Sequence, residues 1–290
     1  MPSGSVLPRV HLAAVVGGGD ALLLRHLVEH YRAHGVESFY VCRHVESTSD
    51  PLYEQIEQAA RDAGIEIFRT FVGPWDDEMY ERLMLEARSQ HPDDWYVVVD
   101  LDEFHVYDRP LADLIELAEH GGYDHVDGCF VDRVAADGGF PDVDGDSLWE
   151  RFPLGGSITS RLVQAPSIKT GLALGRVPLH IGHHGARGGR GLPREVSYIQ
   201  VHHFKWTGSV VDRMRKRIDR FESGEWKLVF PSVLTETRRV LTYLDRHDGR
   251  IDVGSRRLHL RSCGRGYDDY PLWAEVADDA QRWRYILQES

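Results

Sequence analysis

The sequence predicts an α/β fold: a mostly parallel sheet flanked by helices, followed by a helical C-terminal region. Three observations carry this. Over the first hundred residues, short apolar runs alternate with amphipathic stripes in the order β-α-β-α-β-α-β, the rhythm of a parallel sheet with crossover helices. The fourth run, Trp95 to Val99, is apolar without alternation, as in a strand buried on both faces. After Phe104 the rhythm becomes irregular, and beyond residue 210 helical periodicity dominates.

Each element has a local reason. Val10 to Val16 reads as a first buried strand, closed by Gly17, Gly18, Gly19 and Asp20. From Ala21 to His34, Leu23, Leu24, Leu27, Val28 and Tyr31 form a helical stripe, and Gly35 stops it. Ser38 to Cys42 is a second strand ending at Arg43. Pro51 to Ala63 is a helix with proline at its first position and Gly64 at its end. Ile65 to Arg69 reads as a strand and Asp76 to Ser89 as a helix, leading to the strand at Trp95. Beyond Phe104, Leu111 to Glu119 is a short helix and Gly128 to Val134 a strand. Residues Asp137 to Gly156 read as a long loop, of the kind that forms lids or substrate walls. Gly182 to Gly191, rich in glycine, histidine and arginine, reads as a second loop suited to covering an anion. Tyr198 to Trp206 is a strand with polar groups at its end. Val210 to Glu222, Val233 to Asp245 and Tyr270 to Gln288 are helices, the last turning Trp273, Val276, Trp283 and Ile286 to the core. The basic run from Arg213 to Arg217 reads most simply as a solvated helix face.

The 290 residues suffice for one large domain or two small ones. A net charge of −12 and a pI of about 5.7 argue against a broad nucleic-acid-binding face, so an anionic ligand has to be met by a local cation or a metal. Lysine is scarce: Lys169, Lys205, Lys216 and Lys227 are the whole set. Cys42, Cys129 and Cys263 show neither disulfide nor C-x-x-C spacing and read as buried thiols in a reducing compartment. With no long apolar stretch and no charged-then-apolar leader, the expectation is a cytoplasmic protein without an integral membrane segment.

Chemistry concentrates in two places. Trp95 to Val99 runs into Asp100, Leu101, Asp102 and Glu103, placing acids at the carboxyl end of a central strand, where open α/β sheets bind ligands. In an extended segment Asp100 and Asp102 share a side, and such a pair stays ionised most easily beside a cation; a divalent ion that also carries phosphate oxygens suits it. Acids after a strand also serve as plain turns and caps. About a hundred residues later come His202, His203, Phe204, Lys205 and Trp206. On a strand His203 and Lys205 face one side, His202 and Phe204 the other. Imidazole suits Mn²⁺-like ions and lysine meets phosphate as a point charge, although a strand histidine is more often a hydrogen-bonded core residue. The glycines at 17 to 19 let the chain turn or approach a ligand, but neither G-x-G-x-x-G nor G-K-[ST] is present.

Leu27 to Tyr40 (L-V-E-H-Y-R-A-H-G-V-E-S-F-Y), Val97 to Phe104 (V-V-V-D-L-D-E-F) and His202 to Trp206, in this order, resemble the GT-A glycosyltransferases, and more narrowly a bacterial family 2-like group related to glycosyltransferase family 92. The resemblance spans about residues 10 to 210 and leaves the last 80 largely uncovered. It implies a GT-A-type, Rossmann-like domain over 1–210, a helical extension over 211–290 packed on it, and a nucleotide-diphosphate sugar as donor. It also implies Mn²⁺ or Mg²⁺ as cofactor and a small-molecule or glycan acceptor, a soluble small molecule being favoured. By the same resemblance Asp102 and His203 ligate the ion, Asp100 meets the ion or the donor ribose, and Lys205 meets the diphosphate, with Gly18 and Arg43 at the donor. Where such sequences commonly carry Asn-Glu near the first strand end, this chain has Gly18, Gly19 and Asp20. The transfer also needs a base at the acceptor hydroxyl or amine; Asp132, at a rigid strand end, is the first candidate, with Asp137 and Glu150 behind it. Two rivals stand beside this reading. A nucleotidyl- or phosphotransferase also uses D-x-D and metal, but no Lys or Arg lies between Val10 and Leu24 to serve a phosphate-binding first turn. A binding protein with a degenerate site would hold donor without turnover.

Overall fold

A computed structural model describes residues 9–17, 21–143, 147–227 and 229–288, with side chains through Gln281. The strands of its first half are β1 (Val10–Val16), β2 (Ser38–Val45), β3 (Ile67–Val72) and β4 (Trp95–Asp100), all parallel, in the spatial order β3-β2-β1-β4. Helices α1 (Leu23–Ala33), α2 (Pro51–Ala63) and α3 (Asp77–Arg88) connect them. Their ends follow from local chemistry. Asp50 accepts the Leu52 N–H at 2.9 Å ahead of Pro51, Gly64 closes α2 with φ 66°, and Asp76 caps α3 through the Glu78 N–H at 2.9 Å.

The second half turns the sheet mixed. After β5 (Glu103–Val106) and α4 (Leu111–Gly121), strand β6 (His125–Val134) lies beyond β8 (Ile168–Leu174), which runs antiparallel between β4 and β6. Strand β9 (Ile199–His203) pairs parallel with β6 and antiparallel with β5. Helix α5 (Leu148–Arg151) and β7 (Leu154–Gly156) lie in the stretch expected as a long loop, and β10 (Arg261–Ser262) extends the sheet from β7. Among the described residues ten strands form this one sheet. Gly128 lets β6 approach β9: a Cβ there would stand 2.2 Å from the Ile199 carbonyl oxygen.

The main core lies between the parallel strands and their helices; Trp95 to Val99 are at most 1% exposed, and each such side chain contributes about 1.5–3 kcal/mol. Helices α6 (Val210–Glu222) and α7 (Ser232–Asp245) cover a second cluster around Trp206 and Met214. Helix α8 (Trp273–Gln288) covers a third, with Val276 buried and Trp273 packed beside it; Trp283 and Ile286 lie outside the described side chains. The three cysteines are free and buried. No helix among the described residues is long and apolar enough to cross a membrane.

Candidate active site

The carboxyl ends of β4, β6 and β9 and the first residue of β5 converge. Register puts Glu103 opposite His203 and His203 beside Asp132, so these three side chains stand in a row on one face of the sheet. The turn between β4 and β5 sends Asp100 and Asp102 to different partners.

Asp100 belongs to a closed cluster. Lys169, on β8, is 2% exposed; its Nζ lies 2.9 Å from Asp100 Oδ2, 2.7 Å from Glu103 Oε1, 2.8 Å from the Gly182 carbonyl and 3.1 Å from His183 Nε2. The Tyr80 hydroxyl donates to Asp100 Oδ1 at 2.7 Å, and Glu103 Oε2 accepts the Asp100 N–H at 3.0 Å. Burial alone would lower the Lys169 pKa, but Asp100 and Glu103 more than offset it and keep the ammonium charged. Partial burial works to raise Asp100, whose side chain is 36% exposed; Lys169 first, then His183 and Tyr80, hold it well below the usual carboxylate range. Burial pushes Glu103 up to about 8, against the pull of Lys169 and with the charge on Asp100 adding to the rise. Burial and the Lys169 ammonium push His183 down to about 3, so its imidazole is neutral. Lys169 and Asp100 form the charged pair at the centre of the cluster, with Glu103 shifted toward its protonated form. Gly182 (φ 67°) and His183 (φ 46°) both adopt left-handed backbone to bring that ring in; for His183 this is a strained conformation.

Asp102 belongs to an open arrangement. Its Oδ2 lies 3.6 Å from His203 Nε2, too long for a hydrogen bond, while His203 Nδ1 is 3.0 Å from Asp132 Oδ1. With Nδ1–H donated to Asp132, Nε2 turns its lone pair toward Asp102. A carboxylate behind a histidine in this way is how proteins fix a metal-binding imidazole. The Phe130 ring stacks on His203 at 4.2 Å and the Phe204 N–H bonds the Asp102 carbonyl at 2.7 Å, so both side chains are carried by ordered backbone. Lys205 is half-buried, with no ion-pair partner among the described residues; burial and the nearby Arg217 push it down to about 8, with Asp102 and Asp132 pulling the other way.

The expected donor and metal set therefore divides. Asp102 and His203 come together, and Lys205 is near them. Asp100, expected to share an ion with Asp102, has Lys169 as its cation instead: the oxygen and nitrogen atoms of Asp100, Glu103 and His183 lie within 4.8 Å of one another, but the lysine stands among them. An ion fits Asp102 and His203, and does not fit the Asp100 triad while Lys169 is there. His202 faces away, between Gln200, Arg133 and Trp149. Arg43 does not reach the site either. It is buried, donates to Glu57, Thr70 and the Tyr53 carbonyl, and stacks 3.6 Å over the Tyr53 ring, so it ties β2 to α2 and β3. Asp132 differs from the expected base: its side chain is 1% exposed and its oxygens accept the Thr159 N–H at 2.6 Å and hydroxyl at 2.7 Å besides His203. Asp137 pairs with Arg250 at the surface, and Glu150 is exposed on α5. Gly18 lies outside the described residues.

Lys169, Glu103 and Tyr80 carry no individual role from the sequence, and His183, expected in a loop covering an anion, packs against Lys169 and Glu103 instead. A lysine inside the apolar run Ile168 to Leu174, in a chain with four lysines, was the available signal for the first; nothing local marks Tyr80.

No protein-family model and no curated protein matches the chain. Among solved structures it is similar to S. aureus TarS 1–349 in complex with UDP, at 11% identity and a TM-score of 0.36, covering 95% of this chain and 80% of that one. It is also similar to the mannosyltransferase PcManGT from Pyrobaculum calidifontis in complex with GDP-Man and Mn²⁺, at 12% identity and TM-score 0.39, covering 98% and 88%. A UDP-glucose pyrophosphorylase complexed with UDP-glucose matches at 12% identity and TM-score 0.29, covering 96% and 99%.

Proposed function

We propose that this chain is a glycosyltransferase that moves a sugar from a nucleotide-diphosphate donor to a hydroxyl or amine of an acceptor, with Mn²⁺ or Mg²⁺ held by Asp102 and His203. The observation that supports it most is the Asp132–His203–Asp102 line at the carboxyl edge of the sheet, a carboxylate-oriented imidazole facing a second carboxylate at 3.6 Å. A divalent ion bound there would supply Lewis acidity to neutralise charge on the leaving diphosphate. The chain's own groups do the rest. Lys205, half-buried beside Asp102, meets the diphosphate as a point charge. Asp100, fixed by Lys169 and Tyr80 and a third exposed, accepts a donor hydroxyl. Asp132 acts through His203 as a positioning residue, which leaves Glu150 as the carboxylate for the acceptor proton. Glu150 is exposed on α5, where an acceptor can reach it.

The test is a panel of UDP- and GDP-sugars incubated with the protein and Mn²⁺, followed by assay of released nucleoside diphosphate with and without chelator. Release that needs the ion supports the proposal. Pyrophosphate formed from a nucleoside triphosphate and a sugar phosphate would replace it with nucleotidyl transfer, and donor binding without any turnover would replace it with a binding protein.

A further inference from the structure

At the amino-terminal end of the parallel strands β1 and β4, opposite the candidate active site, a second group of ligating side chains meets. His11 is the second residue of β1, and His91 and Asp94 belong to the turn between α3 and β4. His11 Nε2 lies 3.0 Å from Asp94 Oδ2, His91 Nδ1 lies 3.8 Å from the same oxygen, and one donor atom from each residue falls within 4.8 Å of the other two. The imidazoles are stacked, 4.8 Å apart and 22° from parallel.

The surroundings hold these groups in place. The register His11 opposite Tyr96 puts the ring of β1 next to the start of β4. Tyr40 and Tyr96 wall it at 5.7 and 5.0 Å, and the Tyr96 hydroxyl accepts the His91 N–H at 3.2 Å. The Asp94 N–H bonds the His91 carbonyl at 3.1 Å, and the Asp94 carbonyl accepts the Gly175 N–H at 3.0 Å, so the turn itself is ordered. His11 is only 5% exposed and its Nδ1 is buried without a partner, whereas Asp94 (31%) and His91 (42%) open to solvent. His11 Nε2 and Asp94 Oδ2 are held together at the mouth of this group, and an ion replaces the proton between them once the half-exposed His91 ring turns out of its stack to bring Nδ1 to it. Two nitrogens and one oxygen suit a borderline divalent ion such as Zn²⁺, with water in the remaining position.

We infer that His11, His91 and Asp94 form a divalent transition-metal site, taking Zn²⁺ or a similar ion, that clamps the α3–β4 turn onto β1 at the end of the strands away from the candidate active site. The ion ties the α3–β4 turn to β1 next to the Val10–Trp95 pairing, so its effect is on stability.

The experiment titrates Zn²⁺ into the full chain by calorimetry and follows melting temperature, for the unmodified protein, His91→Ala and Asp94→Asn. Both substituted side chains are partly exposed in a turn, so the variants keep the fold. The inference expects one more equivalent of Zn²⁺ in the unmodified protein than in either variant. It also expects a rise in melting temperature of about 5 °C at roughly a hundredfold excess over Kd, absent in both variants. The same extra equivalent persists in Asp102→Ala, which separates this site from the proposed catalytic ion. Equal stoichiometry and equal melting shifts in the unmodified protein and both variants would overturn it, as would no Zn²⁺ binding beyond that removed by Asp102→Ala.

Discussion

Two acid clusters sit a few residues apart at the end of β4, and they have opposite characters. Around Asp100 the cation is built in: Lys169 is buried among Asp100, Glu103 and His183, and the group is closed. Around Asp102 the geometry is left open: an imidazole held by Asp132 faces a carboxylate at 3.6 Å with no hydrogen bond between them. An Asp-x-Asp spacing thus does not by itself make two equivalent ligands. A single turn residue, Leu101, separates an oxygen committed to an internal lysine from one free to take an ion.

Substitutions on the two sides are expected to act differently. Asp102→Ala removes a ligand from the open side, and the transfer rate in Mn²⁺ is expected to fall about 100- to 1,000-fold with folding unchanged by circular dichroism. Lys169→Met on the closed side acts on stability instead: it leaves the Asp100 carboxylate, a third exposed, without its cation and is expected to cost about 1–3 kcal/mol in urea denaturation, part of which Asp100→Asn in the same chain restores. Asp132→Asn loosens His203 without removing it. Mn²⁺ affinity, read by calorimetry, is expected to drop about 10- to 100-fold while excess Mn²⁺ restores turnover, an outcome a catalytic base would not show. A further effect is in pH. Glu103 near 8 lies above its ordinary 4.5, so the folded protein holds a proton that the unfolded chain releases. That contribution is complete below about 4.5 and is lost as pH rises through about 8. The urea midpoint of the unmodified protein should therefore fall across this window relative to Glu103→Gln.

Much of the first half was legible in the sequence because its signals are local. Pro51, Gly64 and the Leu23–Tyr31 stripe mark helices, and Trp95 to Val99 marks a buried strand, without reference to anything distant. The alternation on β9 separated His203 from His202 correctly, since period-two geometry survives any context. What was not legible depends on pairing. Strand β8 runs antiparallel between β4 and β6, and only that placement, with Val97 opposite Leu172, carries Lys169 to the level of Asp100. Asp132 reads as a strand-end acid aimed at a crevice; that Thr159 and His203 enclose it is a tertiary fact. Arg43 likewise sits at a strand end, yet Glu57 and Thr70 face it from both neighbouring elements.

The most direct test of the account is nucleotide-diphosphate binding, followed by thermal shift with UDP and GDP in Mn²⁺, for the unmodified protein, Asp102→Ala and Glu103→Gln. The account predicts a shift for one nucleotide that chelator and Asp102→Ala abolish and Glu103→Gln retains. A shift that survives both chelator and Asp102→Ala would contradict an ion on the Asp102–His203 side.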